Sequence, residues 1–477
     1  MKIKTVGLFL GPILFFLILF VDAPKGMGEE AQAVLACTVW VALWWMTEAL
    51  PIAATALLPI ILFPLTGAAS METTTAAYGH PYIFLFVGGF IIAKAIEQWN
   101  LHKRIALNII QLIGSNIGFI ILGFMVATAF LSMWISNTAT SVMMLPIGLA
   151  VIQQVGNSDQ LTKSQRILFG KALMIAIAYS ASIGGMATLI GTPPNLVFAG
   201  IMKETFQVEI TFEKWLGIGL PFSILMLFIC WKYLTRIAFP LKNLKLPGGK
   251  ASIVQQLKAL GSISYEEKMV AVVFGLTAIA WVTKSFLLGI IFPAINDTII
   301  ALMGAMLLFL IPSRSRMGAL IKWNEAVKLP WGVLLLYGGG LAIAASFQTS
   351  GLATWIGTQM TVIQGLSLFL MIAIIVASVN FLTELTSNLA TTAMLLPILA
   401  SMAVALDIHP IIFMVSATLA ASCAFMLPVA TPPNAVVFGS GKLEIKDMVR
   451  AGIWMNLFSI ALITLLIYFL LPYIWGI

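Results

Sequence analysis

Ile135–Pro146 reads ISNTATSVMMLP, and Thr386–Pro397 reads TSNLATTAMLLP at an offset of 251 residues. Each lies in a long apolar stretch, 117–153 and 366–405, and breaks it with a polar pair, Ser136-Asn137 and Ser387-Asn388. Two half-length apolar arms around a polar tip predict a re-entrant hairpin in place of a simple span. The same offset relates Gly88-Gly89 in FLFVGGF to Gly339-Gly340 in LLLYGGG, Leu101 to Leu352, and Pro146 to Pro397. Further on, GTPPN (Gly191–Asn195) matches ATPPN (Ala430–Asn434) at an offset of 239. Chance explains one such match, but five in the same order mark an internal duplication.

Composition says what surrounds these repeats. Of 477 residues, 60% are hydrophobic and 9% charged, against roughly 25% charged in an ordinary soluble domain. A water-facing surface of this size needs more charge, whereas lipid tolerates an apolar exterior. Apolar runs near the roughly 20 residues that span a bilayer occur at about 6–21, 31–47, 50–67, 81–98, 170–190, 215–238, 268–291, 297–312, 331–349, 409–429 and 451–475. The expected fold is therefore an all-α integral membrane protein of about eleven transmembrane helices plus two re-entrant hairpins. Lys2 and Lys4 precede the first run, and no small-x-small cleavage site follows at Asp22-Ala23-Pro24, so a retained first span is expected.

The net charge of +8 does not point to nucleic acid, because of where it sits. Lys and Arg gather at Lys103-Arg104, at Lys163, Arg166 and Lys171, from Arg236 to Lys268, from Arg314 to Lys328, and from Lys442 to Arg450. Alternate loops would place these clusters on one side, which the positive-inside rule makes cytoplasmic along with the N-terminus. The basic stretch 240–267 divides an N-terminal half, 1–239, from a C-terminal half, 268–477. About five spans separate the first Gly-Gly segment from its copy. An odd number reverses direction, so the halves are inverted repeats, a hallmark of secondary transporters.

The polar tips carry the expected chemistry. A broken helix frees amide N–H groups at one arm and carbonyls at the other. Amides suit a carboxylate, while carbonyls with Ser, Thr and Asn oxygens suit a hard cation such as sodium. Asn offers both kinds of group, and Thr138 adds a hydroxyl donor. Pro-Pro cannot continue a helix, so Thr192–Asn195 and Thr431–Asn434 interrupt the spans they end. No Lys or Arg lies in either tip or either turn. A dianion there would depend on neutral donors, helix-end dipoles and bound cations.

Other residues carry less. His80, His102 and His409 are scattered, and no HExxH or paired-Asp motif supports an enzyme, the competing class alongside an ion channel. Cys37, Cys230 and Cys423 read as small packing residues. Glu48 reads as a helix-end residue, and Glu384, three residues before Ser387, as a hydrogen-bonding support for the tip.

SMWISNTAT (Ser132–Thr140), YSASIGGMATLIGTPPN (Tyr179–Asn195), WGVLLLYGGG (Trp331–Gly340), TELTSNLATTA (Thr383–Ala393) and ASCAFMLPVATPPN (Ala421–Asn434) resemble the divalent anion/sodium symporter family, from about residue 40 to the end. The resemblance implies a homodimer whose protomers each move a transport domain like an elevator against a scaffold. It implies one sodium site at Ser132, Ser136, Asn137 and the Gly191 carbonyl, and another at Thr383, Thr386, Asn388 and the Ala430 carbonyl. Substrate carboxylates would meet Asn137, Thr138, Asn388 and the Thr431-Pro432 turn, with Thr192 nearby. Leu389 departs from the threonine of many bacterial members and removes a hydroxyl from that side. The function expected is sodium-coupled import of C4-dicarboxylates (succinate, malate, fumarate). Citrate or sulfate symport and sodium-independent dicarboxylate exchange are the alternatives.

Overall fold

The computed structural model describes residues 2–113, 116–156, 162–241, 251–359 and 365–476. Among these residues the chain is helical, with one isolated bridge between Pro312 and Ala319 and no strand. Nine helices among them are long and apolar enough to cross a membrane. Two of the nine are the second arms of the hairpins, so seven match the eleven expected spans; the others are the 31–47 run, whose helix is Glu29–Thr47, and three runs with shorter helices. The 50–67 run is divided into Ile52–Thr55 and Leu58–Thr66, 297–312 yields only Asp297–Leu310, and 409–429 stops after Pro410–Ala421. At 1.5 Å per residue these pieces fall short of a roughly 30 Å hydrocarbon layer.

Both Ser-Asn tips separate two helical arms. The first hairpin has arms Ile117–Ser132 and Asn137–Gly156, and the second has Leu368–Thr383 and Asn388–Ala405. The arms are longer than half-length, since each second arm continues through its proline, Pro146 or Pro397, and is itself long enough to span. The Thr-Pro-Pro-Asn turns also differ from expectation, because they open new helices. Pro193 and Pro194 begin Pro193–Phe206, and Pro432 and Pro433 begin Pro432–Phe438. Proline suits a first helical turn, where its missing N–H would have had no helical partner. Each half thus holds a hairpin and a helix broken in two: Lys163–Gly185 with Pro193–Phe206, and Pro410–Ala421 with Pro432–Phe438.

The halves interlock by exchange. Each hairpin packs on the first piece of its own broken helix. The second pieces cross over, Pro193–Phe206 to the arm Asn388–Ala405 and Pro432–Phe438 to the arm Asn137–Gly156. Hydrogen bonds join the two breaks directly, from the Tyr179 hydroxyl to the Phe425 carbonyl (2.7 Å) and from Cys423 Sγ to Met186 Sδ (3.7 Å). The repeated Gly-Gly pairs serve close helix approach. A β-carbon on Gly88 would lie 2.7 Å from the Ala301 backbone, and one on Gly339 would lie 2.8 Å from the Ala56 carbonyl oxygen.

Charged residues collect at two ends of the bundle. At one end Arg104 meets Glu267 (3.0 Å) and the Gly261 carbonyl, Glu266 accepts from the Arg314 and Ser315 amides, and Arg316 pairs with Glu325 (2.7 Å). Among the described residues, members of three of the basic clusters, at Lys103-Arg104, Arg236–Lys268 and Arg314–Lys328, thus come together. The helices Pro81–Gln98, Tyr265–Thr283 and Asp297–Leu310 run from there to the other end. There His80 faces Glu204 (3.1 Å) and Lys284 pairs with Asp297 (3.1 Å). Glu48, by contrast, caps the Glu29–Thr47 helix and makes an exposed pair with Lys4.

Asp297 also accepts from the Phe212 amide (2.8 Å) and is only 3% exposed. Removing one partner of a buried pair leaves the other charge uncompensated, which costs about 3–5 kcal/mol. Asp297→Ala should lower thermal stability in detergent by up to that amount, since Lys284 keeps Glu209 at 3.6 Å as a more exposed partner. Removing the exposed partner Lys4 should shift it by less than about 1 kcal/mol.

Candidate functional site

The first arm of each hairpin ends on a hydroxyl residue, and the second arm begins with asparagine. Ser132 Oγ lies 2.6 Å from Asn137 Oδ1 and 2.7 Å from the Ala181 carbonyl oxygen. In the other half Thr383 Oγ1 lies 2.7 Å from Asn388 Oδ1 and 2.9 Å from the Ala421 carbonyl oxygen. Each cluster brings three oxygens together with one hydroxyl proton among them, so one close oxygen pair always lacks a hydrogen. Such a surplus of acceptors suits a cation.

A second observation concerns how tightly the first cluster packs. A β-carbon built on Gly185 would lie 2.6 Å from Asn137 Oδ1, 3.0 Å from its Nδ2 and 3.1 Å from the Gly191 carbonyl oxygen. The bare glycine therefore lets the Asn137 side chain and the Gly191 carbonyl close on the same stretch of backbone. The double proline explains why that carbonyl is free. Pro193 and Pro194 have no N–H, the Asn195 amide turns to the Thr192 carbonyl (3.2 Å), and no amide reaches the Gly191 carbonyl among the described residues. Pro432 and Pro433 leave the Ala430 carbonyl free in the same way. The second half differs at one position, where Ala424 stands at the place of Gly185.

Each break is tied to the hairpin beside it, by different chemistry in the two halves. In the first, the Thr188 hydroxyl donates to the Met133 carbonyl (2.6 Å). In the second, Glu384, at the position equivalent to Met133, is 3% exposed. Its carboxylate accepts from the amides of Phe425 (2.7 Å), Met426 (2.8 Å) and Leu427 (3.0 Å), and from Asn456 Nδ2 (2.8 Å). Four donors satisfy a buried carboxylate without a cationic partner. Glu384 therefore holds the break itself, a longer reach than support of the tip.

The remaining expected residues divide clearly. Ser136 is exposed, and its hydroxyl accepts from the Ala139 amide (3.3 Å). It borders a cleft of about 230 Å³ walled by Phe90, Lys94, Glu97, Lys328 and Leu329 at the basic end. A larger hollow of about 380 Å³ at Leu366–Met371 and Ala405–Ile408 touches neither tip. Thr138 and Pro432 are exposed, while Leu389, Thr192 and Thr431 are buried. The Thr386 hydroxyl is turned away, donating to the Leu382 carbonyl (2.9 Å) beside the Thr391 hydroxyl (2.6 Å). Thr431 Oγ1 accepts from the Asn434 amide (3.3 Å). Sequence reasoning missed the Ala181 and Ala421 carbonyls, the bare Gly185 and the role of Asn456. The 239 offset relates Gly185 to Ala424, but no pattern marks which carbonyls are free. Nothing in the pattern marked Asn456.

Comparison with known proteins agrees with this architecture. The solved structure of the YdaH transporter of Alcanivorax borkumensis superposes with a TM-score of 0.60 over 99% of this chain and 98% of that one, at 12% identity, a likeness of fold alone. The sodium-dependent dicarboxylate transporter SdcS of Staphylococcus saprophyticus is 49% identical over 99% of this chain and 92% of its own length. The protein of the same name from Staphylococcus aureus strain USA300 is 47% identical over the same shares. Residues 2–476 match the family described as the sodium:sulfate symporter transmembrane region. The chain therefore belongs to the divalent anion/sodium symporter family, whose members are membrane transporters and not enzymes.

Proposed function

We propose that this chain is a sodium-coupled secondary transporter importing C4-dicarboxylates such as succinate, malate and fumarate. It works as a homodimer in the cell membrane, N-terminus cytoplasmic, by elevator-type alternating access. The observation that carries the reading is the pair of proton-poor oxygen clusters at Ser132–Asn137 and Thr383–Asn388, with no Lys or Arg in either tip. The relatives named as sodium-dependent dicarboxylate transporters support the same substrate and ion.

In this reading Ser132, Ser136, Asn137 and the Gly191 carbonyl hold one sodium ion. Thr383, Asn388 and the Ala430 carbonyl hold another, joined by Thr386 when its hydroxyl turns from Leu382. The substrate carboxylates accept from Asn137, Thr138, Asn388, Thr192 and the Thr431-Pro432 turn. Leu389 shapes that side of the site without donating. Helix-end dipoles are worth about 0.3–1 kcal/mol each when exposed and up to about 2 when partly buried. A dianion needs several, and co-bound sodium supplies the rest of the positive potential. Sulfate is the second reading, favoured by the family's own description.

Uptake of labelled succinate, citrate and sulfate into proteoliposomes tests this directly. Succinate should enter fastest, and replacing sodium by choline should abolish its entry. Preferred sulfate uptake would overturn the substrate, and indifference to choline would favour exchange over symport.

Gly185→Ala tests the first ion site. The new methyl would sit 2.6 Å from Asn137 Oδ1, so it forces Asn137 out of its place in the cluster. Losing a hydrogen-bond-like contact to a charge costs about 1.5–3 kcal/mol, or roughly 10- to 150-fold in half-saturating sodium. An unchanged sodium curve for a folded Gly185→Ala protein would remove the ion from this cluster.

A further inference from the structure

We propose that Asn195 and Asn434 are positioning residues for the two sodium sites, each drawing the carbonyls of its helix break inward so that the carbonyl before the double proline is left for the ion. This inference rests on the sodium-coupled reading above. Both side chains are fully buried. Asn195 Nδ2 lies 2.8 Å from the Thr188 carbonyl oxygen, 3.4 Å from that of Gly185 and 3.5 Å from that of Met186. Asn434 Nδ2 lies 3.0 Å from the Leu427 carbonyl oxygen and 3.4 Å from that of Ala424. Thr188 and Leu427, and Gly185 and Ala424, are equivalent positions in the duplication. The same device therefore occurs twice, on loops whose sequences otherwise differ.

The prolines create the need for it. A helix start normally offers backbone N–H groups to nearby acceptors. Pro193-Pro194 and Pro432-Pro433 withdraw two of them at each break. An unwound loop within a bundle must still satisfy its carbonyls. The asparagine amide, in the third position of each new helix, adds a donor for the carbonyls at 185, 186 and 188, and at 424 and 427. Of these, Met186 also accepts from Trp215 Nε1, Thr188 from the Gly191 amide and Leu427 from the Ala430 amide. The Gly191 and Ala430 carbonyls then face no competing amide. Both asparagines keep Oδ1 buried without a partner, so the amide is retained at each position against the cost of an orphaned acceptor.

The test uses full-length protein in proteoliposomes, with Asn195→Leu and Asn434→Leu to remove the donors at similar volume and Asn195→Ser and Asn434→Ser to keep one. Half-saturating sodium should rise about tenfold or more in each Leu variant and less in each Ser variant. The double Leu variant should also show a flattened sodium dependence. Succinate affinity measured at saturating sodium should stay within about twofold, a change of only roughly 0.4 kcal/mol. A merely structural asparagine would lower turnover or thermal stability while leaving half-saturating sodium in place, and that result overturns the proposal. Should the Leu variants fail to fold, the Ser variants read the same quantity. A wild-type protein indifferent to sodium would defeat the sodium-coupled reading itself. A sodium-dependent wild type whose variants keep its sodium curve defeats only the positioning role.

Discussion

Backbone N–H and C=O groups left unpaired away from water cost several kcal/mol each, so a helix can be broken inside a membrane bundle only where something takes up the freed groups. The breaks that build the site are the two hairpin tips and the two Pro-Pro turns. At each turn the carbonyls go to an asparagine amide, Asn195 or Asn434. In the second half the amides go to the Glu384 carboxylate. Oxygens that stay short of donors, at Ser132–Asn137, at Thr383–Asn388 and before each double proline, therefore stand out from the neighbouring carbonyls and amides that these side chains take up.

The two halves solve one problem with different residues, so the sites they build are not equivalent. Gly185 lets Asn137 pack against its bare backbone, whereas Ala424 carries a methyl at the related place. The first break is fastened by a neutral hydroxyl on the Met133 carbonyl, the second by a carboxylate. The exposed Thr138 corresponds to the buried Leu389. The negative charge at Glu384 favours a cation on the second side, and the Thr138 hydroxyl favours an anion on the first. An asymmetric substrate can be oriented by such a difference, where a perfect duplication would offer it two identical ends.

Much of this was legible in the sequence because duplication turns weak signals into strong ones. The hairpins, the broken segments and the pairing of Asn137 with Asn388 follow from text repeated at constant offset. The all-helical class follows from the scarcity of charge. Helix count was harder to read, because hydropathy measures how apolar a stretch is and not where it breaks: Leu58–Thr66 and Pro410–Ala421 are as apolar as any span yet too short to be one. Thr386 is an ion ligand by resemblance alone, and in this structure its hydroxyl donates to the Leu382 carbonyl, a local bond that the sequence does not announce. Carbonyls such as Ala181 and Ala421 were invisible for a simpler reason. Every residue has one, and only the fold says which are free.

The central claim is that the positive potential for the substrate comes from bound sodium and not from cationic side chains. Sodium and dicarboxylate must then raise each other's affinity by the same factor. Calorimetric titration of the purified protein with succinate at a series of sodium concentrations, with ionic strength held constant by choline, measures that factor. The account predicts a succinate dissociation constant that falls steadily as sodium rises and weak binding in choline alone. A dissociation constant independent of sodium would contradict it.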